Sequence, residues 1–569
     1  MRDTPLLDFS AATRQHNLKR LPQEAWDILV IGGGITGVSI ARDAALRGFR
    51  TALLEKGDFA SGTSSRSSRL AHGGIRYLES YEFALVFEAL RERGILRRIA
   101  PHLVHPTPFI YPVYRGKEPP LWKLAAGMWL YDALALFRNF RLHRMAGRGR
   151  IRAWEPVMGP EGLQGGGEYY DSVVYDARLT LAVARSAHRA GAVLVNHAAV
   201  TSFVKESGRI VGIRGRDALT GEECEARARV VVNATGVWGD ALMQMDDPNA
   251  PRHLRPSKGI HILVRRERMG GHRRAVVFFS PRDGRILFLI PWGAFSIIGT
   301  TDTEYQGDLD RPYATAEDVA YVLEAVNAAF PEVGLRESDI VSTWAGLRPL
   351  VFVGDASSTY KVSREHRIFV SPSGLISISG GKLTTAREMA RQVVEVAQKR
   401  LAEMGIQATG PCRTHLEPLD PAPLAELQRL ADARGRGHTR AGPAPELVEH
   451  LIGRYGSEYR DLLAWMAEEP TLAEPLVPGL PYHWAEVRYA LEREMALALS
   501  DLLIRRIPLI YEAPDQGLEV MHAVSRRMGE ALGWSEERIR QEEEEYRDQV
   551  ALTRLYRQGE IKPVQQPAK

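Results

Sequence analysis

The sequence predicts an α/β protein built on two sheets, with an all-helical region behind them. Three observations carry this reading. An apolar run near the N-terminus leads into a cluster of glycines and a helix-forming stretch. Strand-like runs then alternate with helices to about residue 400. Beyond residue 411 the apolar spacing is helical.

Taken in order, residues 1–25 read as a leader lying over the surface. Met1 to Pro22 carry charged and polar groups rather than an apolar core, so no secretory signal is expected. Trp26–Ile31 reads as a strand, Thr36 to Arg47 as a helix and Thr51–Glu55 as a second strand, a βαβ opening. Val193–Asn196 and Val230–Asn233 are expected as buried strands, and Ile286–Ile290 with Phe295–Gly299 as a hairpin or an open sheet. A linker is expected at residues 406–414, around Gly410, Pro411 and Cys412, and a second Pro/Gly/Arg-rich stretch at about 433–445. The predicted units are therefore a leader (1–25), a mixed α/β unit (26–410) and a helical domain (411–569). Glu486–Arg505 and Gly517–Leu532 are expected as long helices, and Glu542–Glu545 as a solvated helix face.

Composition narrows the function classes. With 44% hydrophobic and 25% charged residues, a 569-residue chain is globular rather than disordered. A net charge of +4 with no concentrated basic stripe argues against a nucleic-acid partner. The two cysteines, Cys224 and Cys412, lie far apart, so neither a disulfide framework nor a metal site is expected, and a cytoplasmic location fits. No run of about 18 apolar residues is present that would span a membrane.

Gly32-Gly33-Gly34-Ile35-Thr36-Gly37 fits the G-x-G-x-x-G pattern. Gly32 permits the tight turn, Gly34 lets a pyrophosphate approach the backbone, and Gly37 lets helix and strand pack closely. The phosphates are expected at Gly34, Thr36 and Gly37, where a helix N-terminus favours an anion. Glu55 ends the second strand 18 residues past Gly37, where an acid accepts ribose hydroxyls and repels the extra phosphate of NADP. The motif does not separate NAD from FAD. Ser61 to Arg69, rich in small hydroxyls, suits either a loop wrapping a flavin or a flexible surface loop.

The run Ser67-Ser68-Arg69-Leu70-Ala71-His72-Gly73-Gly74-Ile75-Arg76-Tyr77-Leu78-Glu79, with the glycine motif, closely resembles the FAD-dependent glycerol-3-phosphate dehydrogenases. These are flavoenzymes of D-amino-acid-oxidase-like fold. Asn233 to Trp238, Ser257 to His261, Ile298 to Asp302, Gly346 to Pro349 and Gly380 to Thr385 match the same family in order. The resemblance covers about residues 25–400 and, more loosely, Glu494-Met495-Ala496-Leu497.

It implies a Rossmann-type FAD-binding domain with an interposed mixed-sheet substrate domain and a C-terminal all-helical domain. It further implies oxidation of sn-glycerol 3-phosphate to dihydroxyacetone phosphate, with hydride transfer to FAD and electrons passed to a quinone. The alternatives are a glycerol-3-phosphate oxidase that reduces O2, an amine or hydroxy-acid oxidase of the same fold, and a non-catalytic flavoprotein scaffold. By family position Arg76, Arg348 and Lys382 anchor the phosphate substrate, Arg for its planar fork. Lys382 alternatively stabilises charge on the reduced flavin. His261 is the expected base, with Tyr77 and Thr384 orienting the hydroxyl. His72 is expected to shape the flavin loop, and Asp302 is given no catalytic role. Thr63, Ser64 and Ser68 are expected on the phosphate and ribityl oxygens and the Val200 backbone on the adenine. Gly236 is expected to permit close approach, and Gly381, Lys382, Leu383 and Thr384 to lie at the isoalloxazine.

Leu121–Phe140 is apolar but interrupted by Lys123 and Asp132. Arg138, Arg141, Arg144, Arg148, Arg150 and Arg152 follow, with no acid from Ala133 through Trp154. That pattern suits an interfacial anchor on an anionic membrane, or a buried helix followed by a solvated basic loop. The resemblance favours the membrane, because a lipid quinone resides there. The helical region is expected to mediate homodimerisation or to cover the flavin domain.

Overall fold

The computed structural model describes residues 8–116, 119–352, 365–434 and 444–558. Residues 435–443, within the expected second Pro/Gly/Arg-rich stretch, lie outside them. Ala25–Ile31 forms the middle of the first sheet and is buried at every position after the first. It pairs in parallel with Thr51–Leu54 on one side and Glu223–Asn233 on the other. A strand flanked on both edges and covered on its faces must be apolar throughout, which Ile28, Leu29, Val30 and Ile31 satisfy. The sheet has eight strands. Ile376–Gly380 and Val193–Val195 extend the parallel core, and the hairpin Ala198–Glu206/Arg209–Asp217 hangs on Glu223–Asn233. Helices Ile35–Leu46, Asp176–Arg189 and Ala386–Glu403 pack together beside it.

The second sheet has ten strands and is mixed. Two long antiparallel pairs form its frame: Leu254–Arg265 with Ile340–Val351, and Val104–Tyr114 with Leu163–Val174. Ile286–Trp292 and Phe295–Gly299 form the expected hairpin between them, turning at Gly293 and Ala294 with Gly293 at φ 56°.

Three expectations are corrected. Residues 8–20 do not lie over the surface as a leader. Ala11–Arg20 is a helix whose Arg14 is 3% exposed, pairing with Asp217 at 2.7 Å and donating to the Asn196 carbonyl at 2.9 Å. Asn17 donates to the Leu194 carbonyl at 2.9 Å. Part of the polar composition thus reflects buried partners, while Gln15, His16 and Lys19 face solvent. Second, Glu486–Arg505 is not one helix. The helix Trp484–Arg493 ends where Glu494 turns inward to pair with Arg178 at 2.7 Å, and Met495 takes φ 51°. The chain resumes as a π-helix over Asp501–Arg506, with the Asp501 carboxylate accepting from the Leu497 and Ala498 amides. Third, Glu542 and Glu543 are buried; Glu542 accepts from the Leu499 amide at 2.7 Å and pairs with Arg538.

The helical region shares its apolar core with the second sheet. Trp292, Phe295 and Trp344 of the sheet and Leu502, Ile507, Tyr511 and Val524 of the helices form one cluster.

Burial of Glu542 outweighs Arg538 and raises its pKa to about 7. Below the ordinary glutamate value both folded and unfolded chains hold the proton. Between that value and about 7 only the folded chain does, so stability falls as pH rises through this window. Glu542→Gln is expected to gain on the wild type across it and stay ahead by about 2–3 kcal/mol above it. Thermal melts at pH 4, 6 and 8 check this.

Candidate active site

The strand Ala25–Ile31 delivers the glycine turn to the edge of a cavity of about 310 Å³. Gly32 has φ 110°, and a Cβ there would meet the Ala234 carbonyl at 2.7 Å. A Cβ on Gly37 would lie 1.9 Å from the Gly32 carbonyl, so helix and strand meet with no side chain between them. Gly32, Gly34, Thr36, Glu55, Thr63, Ser64, Val200, Gly236, Gly381, Lys382 and Leu383 all line this cavity. Gly37 lies behind it. Ser68 and Thr384 line an adjoining cavity of about 170 Å³.

Glu55 is tied into the turn it follows. One oxygen accepts from the Gly33 amide at 2.5 Å and the other from the Gly57 amide at 2.8 Å. Burial pushes its pKa up, and the two amides oppose that. Ser64 Oγ accepts from the Ile35 amide at 2.9 Å, closing the hydroxyl-rich loop onto the helix N-terminus. Trp238 Nε1 is buried in the same wall with no partner among the described residues.

The adjoining cavity holds His261, Arg348, Lys382, Thr384 and Tyr77. It shares Ser68, His72, Tyr77 and Arg348 with a third cavity of about 120 Å³, which Arg76 also lines. Arg348 lines both cavities, Lys382 the first of them and Arg76 the other, so the three expected cations border two cavities that share lining residues. Arg348, on the strand Ile340–Val351, donates to Thr300 Oγ1 at 3.2 Å and to the Thr301 carbonyl at 3.1 Å, and lies 3.5 Å from Asp302. Lys382 Nζ stands 3.8 Å from the Tyr77 ring centroid. Thr384 Oγ1 accepts from the His72 amide at 3.2 Å.

His261 is 3% exposed. Its Nε2 lies 2.9 Å from Ser68 Oγ, and its ring stacks on Trp344 at 5.1 Å and 16°. Burial, then Arg348 and Arg69, pull its pKa down to about 3, so the imidazole is neutral at physiological pH.

Sequence reasoning passed over several residues here. Asp302, expected to support a cation or cap a turn, was not among them: it sits beside Arg348 and accepts from Ser257 Oγ. Arg285 lines the third cavity and donates to the Asp302 carbonyl. Trp344 and Trp238 also went unremarked. Trp238 and Asp302 lay inside matched segments; Arg285 had no local signal.

The FAD dependent oxidoreductase family matches residues 27–396, and the C-terminal domain of alpha-glycerophosphate oxidase matches residues 412–539. Glycerol-3-phosphate dehydrogenase 2 of Mycobacterium tuberculosis is 39% identical over 558 residues, covering 96% of this chain and 92% of the relative. The aerobic glycerol-3-phosphate dehydrogenase of Bacillus subtilis is 36% identical, covering 93% and 95%. The chain belongs to the FAD-dependent glycerol-3-phosphate dehydrogenase family. The crystal structure of the glycerol-3-phosphate dehydrogenase from Bacillus halodurans complexed with FAD aligns with a TM-score of 0.79 at 32% identity, covering 98% of this chain and all of that one. The cofactor of the family is FAD, and the glycine cradle, the unpartnered Trp238 N–H and the adjoining cavities fit it.

A second surface stands out. The helix Leu121–Leu134 buries Leu124, Met128, Tyr131 and Asp132, and leaves Trp122 and Trp129 73% and 58% exposed. Leu136, Phe137 and Phe140 continue the exposed apolar face. Asp132 does not interrupt that face. It points inward and accepts from Asn139 and from His143 Nδ1 (2.7 Å), fixing the chain that carries the arginines. Among the described residues no helix is long and apolar enough to cross a membrane.

Gly37→Ala forces the helix off the strand at the Gly32 carbonyl. The protein is expected to retain FAD about tenfold less well or worse, read from the ratio of visible flavin to protein absorbance after gel filtration.

Proposed function

We propose that this chain oxidises sn-glycerol 3-phosphate to dihydroxyacetone phosphate and passes the electrons to a membrane quinone. The gathering of Arg348, Lys382 and neutral His261 around one cavity at the 380–384 turn, with Arg76 in a second cavity that shares Arg348, carries this reading. The relatives named for this activity support it.

Gly32, Gly34, Thr36 and Gly37 with Thr63, Ser64 and Ser68 hold the phosphates and ribityl chain of FAD. Glu55 holds the ribose, Val200 and Gly236 border the adenosine, and Gly381, Lys382, Leu383 and Thr384 border the ring system. When bound, FAD supplies the two-electron acceptor. Arg348 and Arg76 anchor the phosphate, Arg348 through a guanidinium already tethered to Thr300 and Thr301. Lys382, placed by the Tyr77 ring, adds the third positive charge. Tyr77 and Thr384 orient the hydroxyl, and His261 takes its proton as the carbon gives up its hydride.

Under anaerobic conditions sn-glycerol 3-phosphate is expected to bleach the oxidised-flavin band, and a quinone analogue to restore it. A band that persists rejects the substrate. Arg348→Ala is expected to lower kcat/KM by about a hundredfold or more. The match to an alpha-glycerophosphate oxidase domain keeps a second reading in play: rapid recovery of the band in air, with peroxide formed, would make O2 the acceptor.

The exposed face of Leu121–Phe140, beside the arginines from Arg138 to Arg152, supports peripheral attachment to the cytoplasmic side of an anionic membrane. In flotation assays the protein is expected to rise with vesicles containing anionic lipid and not with neutral ones. Trp122→Ser with Trp129→Ser should weaken that association about tenfold or more.

A further inference from the structure

Behind His261 lies a feature that the reading above leaves unused. Arg69 is 3% exposed, and aromatic rings surround its guanidinium: Trp292 at 4.5 Å, Trp344 at 4.9 Å and Tyr511 at 5.5 Å from ring centroid to Cζ. Trp344 stacks on His261, so the indole links Arg69 to the imidazole. The backbone of the flavin loop clasps the same group. Trp344 Nε1 donates to the Ser67 carbonyl at 3.2 Å, and Ser68 Oγ meets His261 Nε2. Arg69 itself holds φ 55°, a left-handed conformation unusual for a residue with a Cβ.

One wall of this cage comes from the helical region. Tyr511 lies on the short helix Leu509–Glu512 and packs on Trp344 at 5.3 Å. The helix is fixed at its C-terminal end: the Tyr511 carbonyl accepts from Ser342 Oγ at 2.7 Å, and Glu512 accepts from Trp292 Nε1 at 3.0 Å and Tyr482 Oη at 2.7 Å.

We propose that Arg69, Trp344 and Tyr511 form a cation–aromatic stack that positions His261 and keeps its imidazole neutral, making the helical region part of the catalytic apparatus. The inference rests on His261 being the proton acceptor. The physical reason is twofold. An indole packed against both a buried guanidinium and the imidazole fixes the ring plane, so His261 keeps its bond to Ser68 and its aim into the cavity. The cation packed on the same indole, together with Arg348 in the cavity, also makes an imidazolium unfavourable. Arg66, His72, Lys382 and Glu365 line the cavity that His261 faces, and behind it the buried Asp176, which accepts from the Ser67 amide and hydroxyl, offsets part of the Arg69 charge.

The test is the rate of flavin reduction by saturating sn-glycerol 3-phosphate in the FAD-loaded protein, followed by stopped flow from pH 4.5 to 8. Wild type is expected to stay flat to near the acid end. Arg69→Met should move the acid limb upward by about one pH unit, a rate about twofold lower one unit above the wild-type midpoint and approaching tenfold lower below it. Arg69→Lys, which keeps the cation, should restore the wild-type profile. Tyr511→Leu should lower kcat about tenfold with KM little changed, since the phosphate anchors are untouched, and Tyr511→Phe should behave as wild type. A merely structural role would lower FAD content or melting temperature and leave the pH profile and the kcat–KM split alone; that outcome overturns the proposal. Coincident profiles for Arg69→Met and wild type, with Tyr511→Leu at full rate, also overturn it. His261→Asn separates the two levels: full activity in that variant removes His261 as the base, whereas lost activity beside an unmoved Arg69→Met profile removes the stack alone.

Discussion

The Gly32 carbonyl lies 1.9 Å from where a Cβ on residue 37 would sit, and much of the rest is organised around that contact. Because nothing separates strand from helix there, the helix N-terminus is driven into the cavity of about 310 Å³ with its amides facing forward. Those amides are engaged in the protein itself. Glu55 holds the Gly33 amide and Ser64 holds the Ile35 amide. The second strand and the hydroxyl-rich loop are thereby registered against the turn, and the ribose, pyrophosphate and ribityl positions of the proposed cofactor site inherit their spacing from one close approach.

A second constraint is the burial of charge behind Glu55. Asp58, 1% exposed, takes Arg505 at 2.5 Å and also Arg506, both from the helical region. Asp501 binds Arg505 at 2.8 Å and His197 at 2.9 Å, and the His197 amide donates to the Gly57 carbonyl at 2.6 Å. Two guanidinium groups and an imidazole thus neutralise two buried carboxylates across elements more than 300 residues apart in sequence. Such a network adds little net stability against an apolar replacement, but removing one partner strands a buried charge. Its effect is registration: the helical region cannot shift without moving the turn that presents Glu55.

What the sequence made legible follows the range of the interactions. The strand–turn–helix at Ala25–Leu46 and the Ile286–Gly299 hairpin are local, and their residue patterns announce them. The candidate cations fell inside ordered motifs and could be named one by one. Arg14, Asn17 and Glu542 were misread because polarity in a sequence does not reveal a partner 43 to 203 residues away. Asp132 looked like a flaw in an apolar helix until its inward bonds to Asn139 and His143 were seen. Trp344 and Tyr511 carry no chemical signature as letters. They matter because the second sheet and the helical region meet at Arg69.

The electrostatics of the proposed substrate space pose a balancing problem. A phosphate dianion needs uncompensated positive charge, yet buried guanidinium groups without partners are costly. Asp302 answers both demands by serving two arginines in different ways. Its carboxylate faces Arg348 at 3.5 Å, longer than a tight ion pair, while its carbonyl accepts from Arg285. Each arginine is oriented by it, and Arg285 is in addition paired with Asp283 at 3.1 Å. The same residual field, together with burial, holds His261 down to about 3. A phosphate bound at Arg348 would cancel much of that field, and the imidazole would become more basic in the complex than in the free protein. Substrate binding would then prepare the base: the group that anchors the ligand relieves the charge that suppresses proton acceptance. In the proposed mechanism an unoccupied site would stay unprotonated, and an anion seated beside His261 would favour proton acceptance.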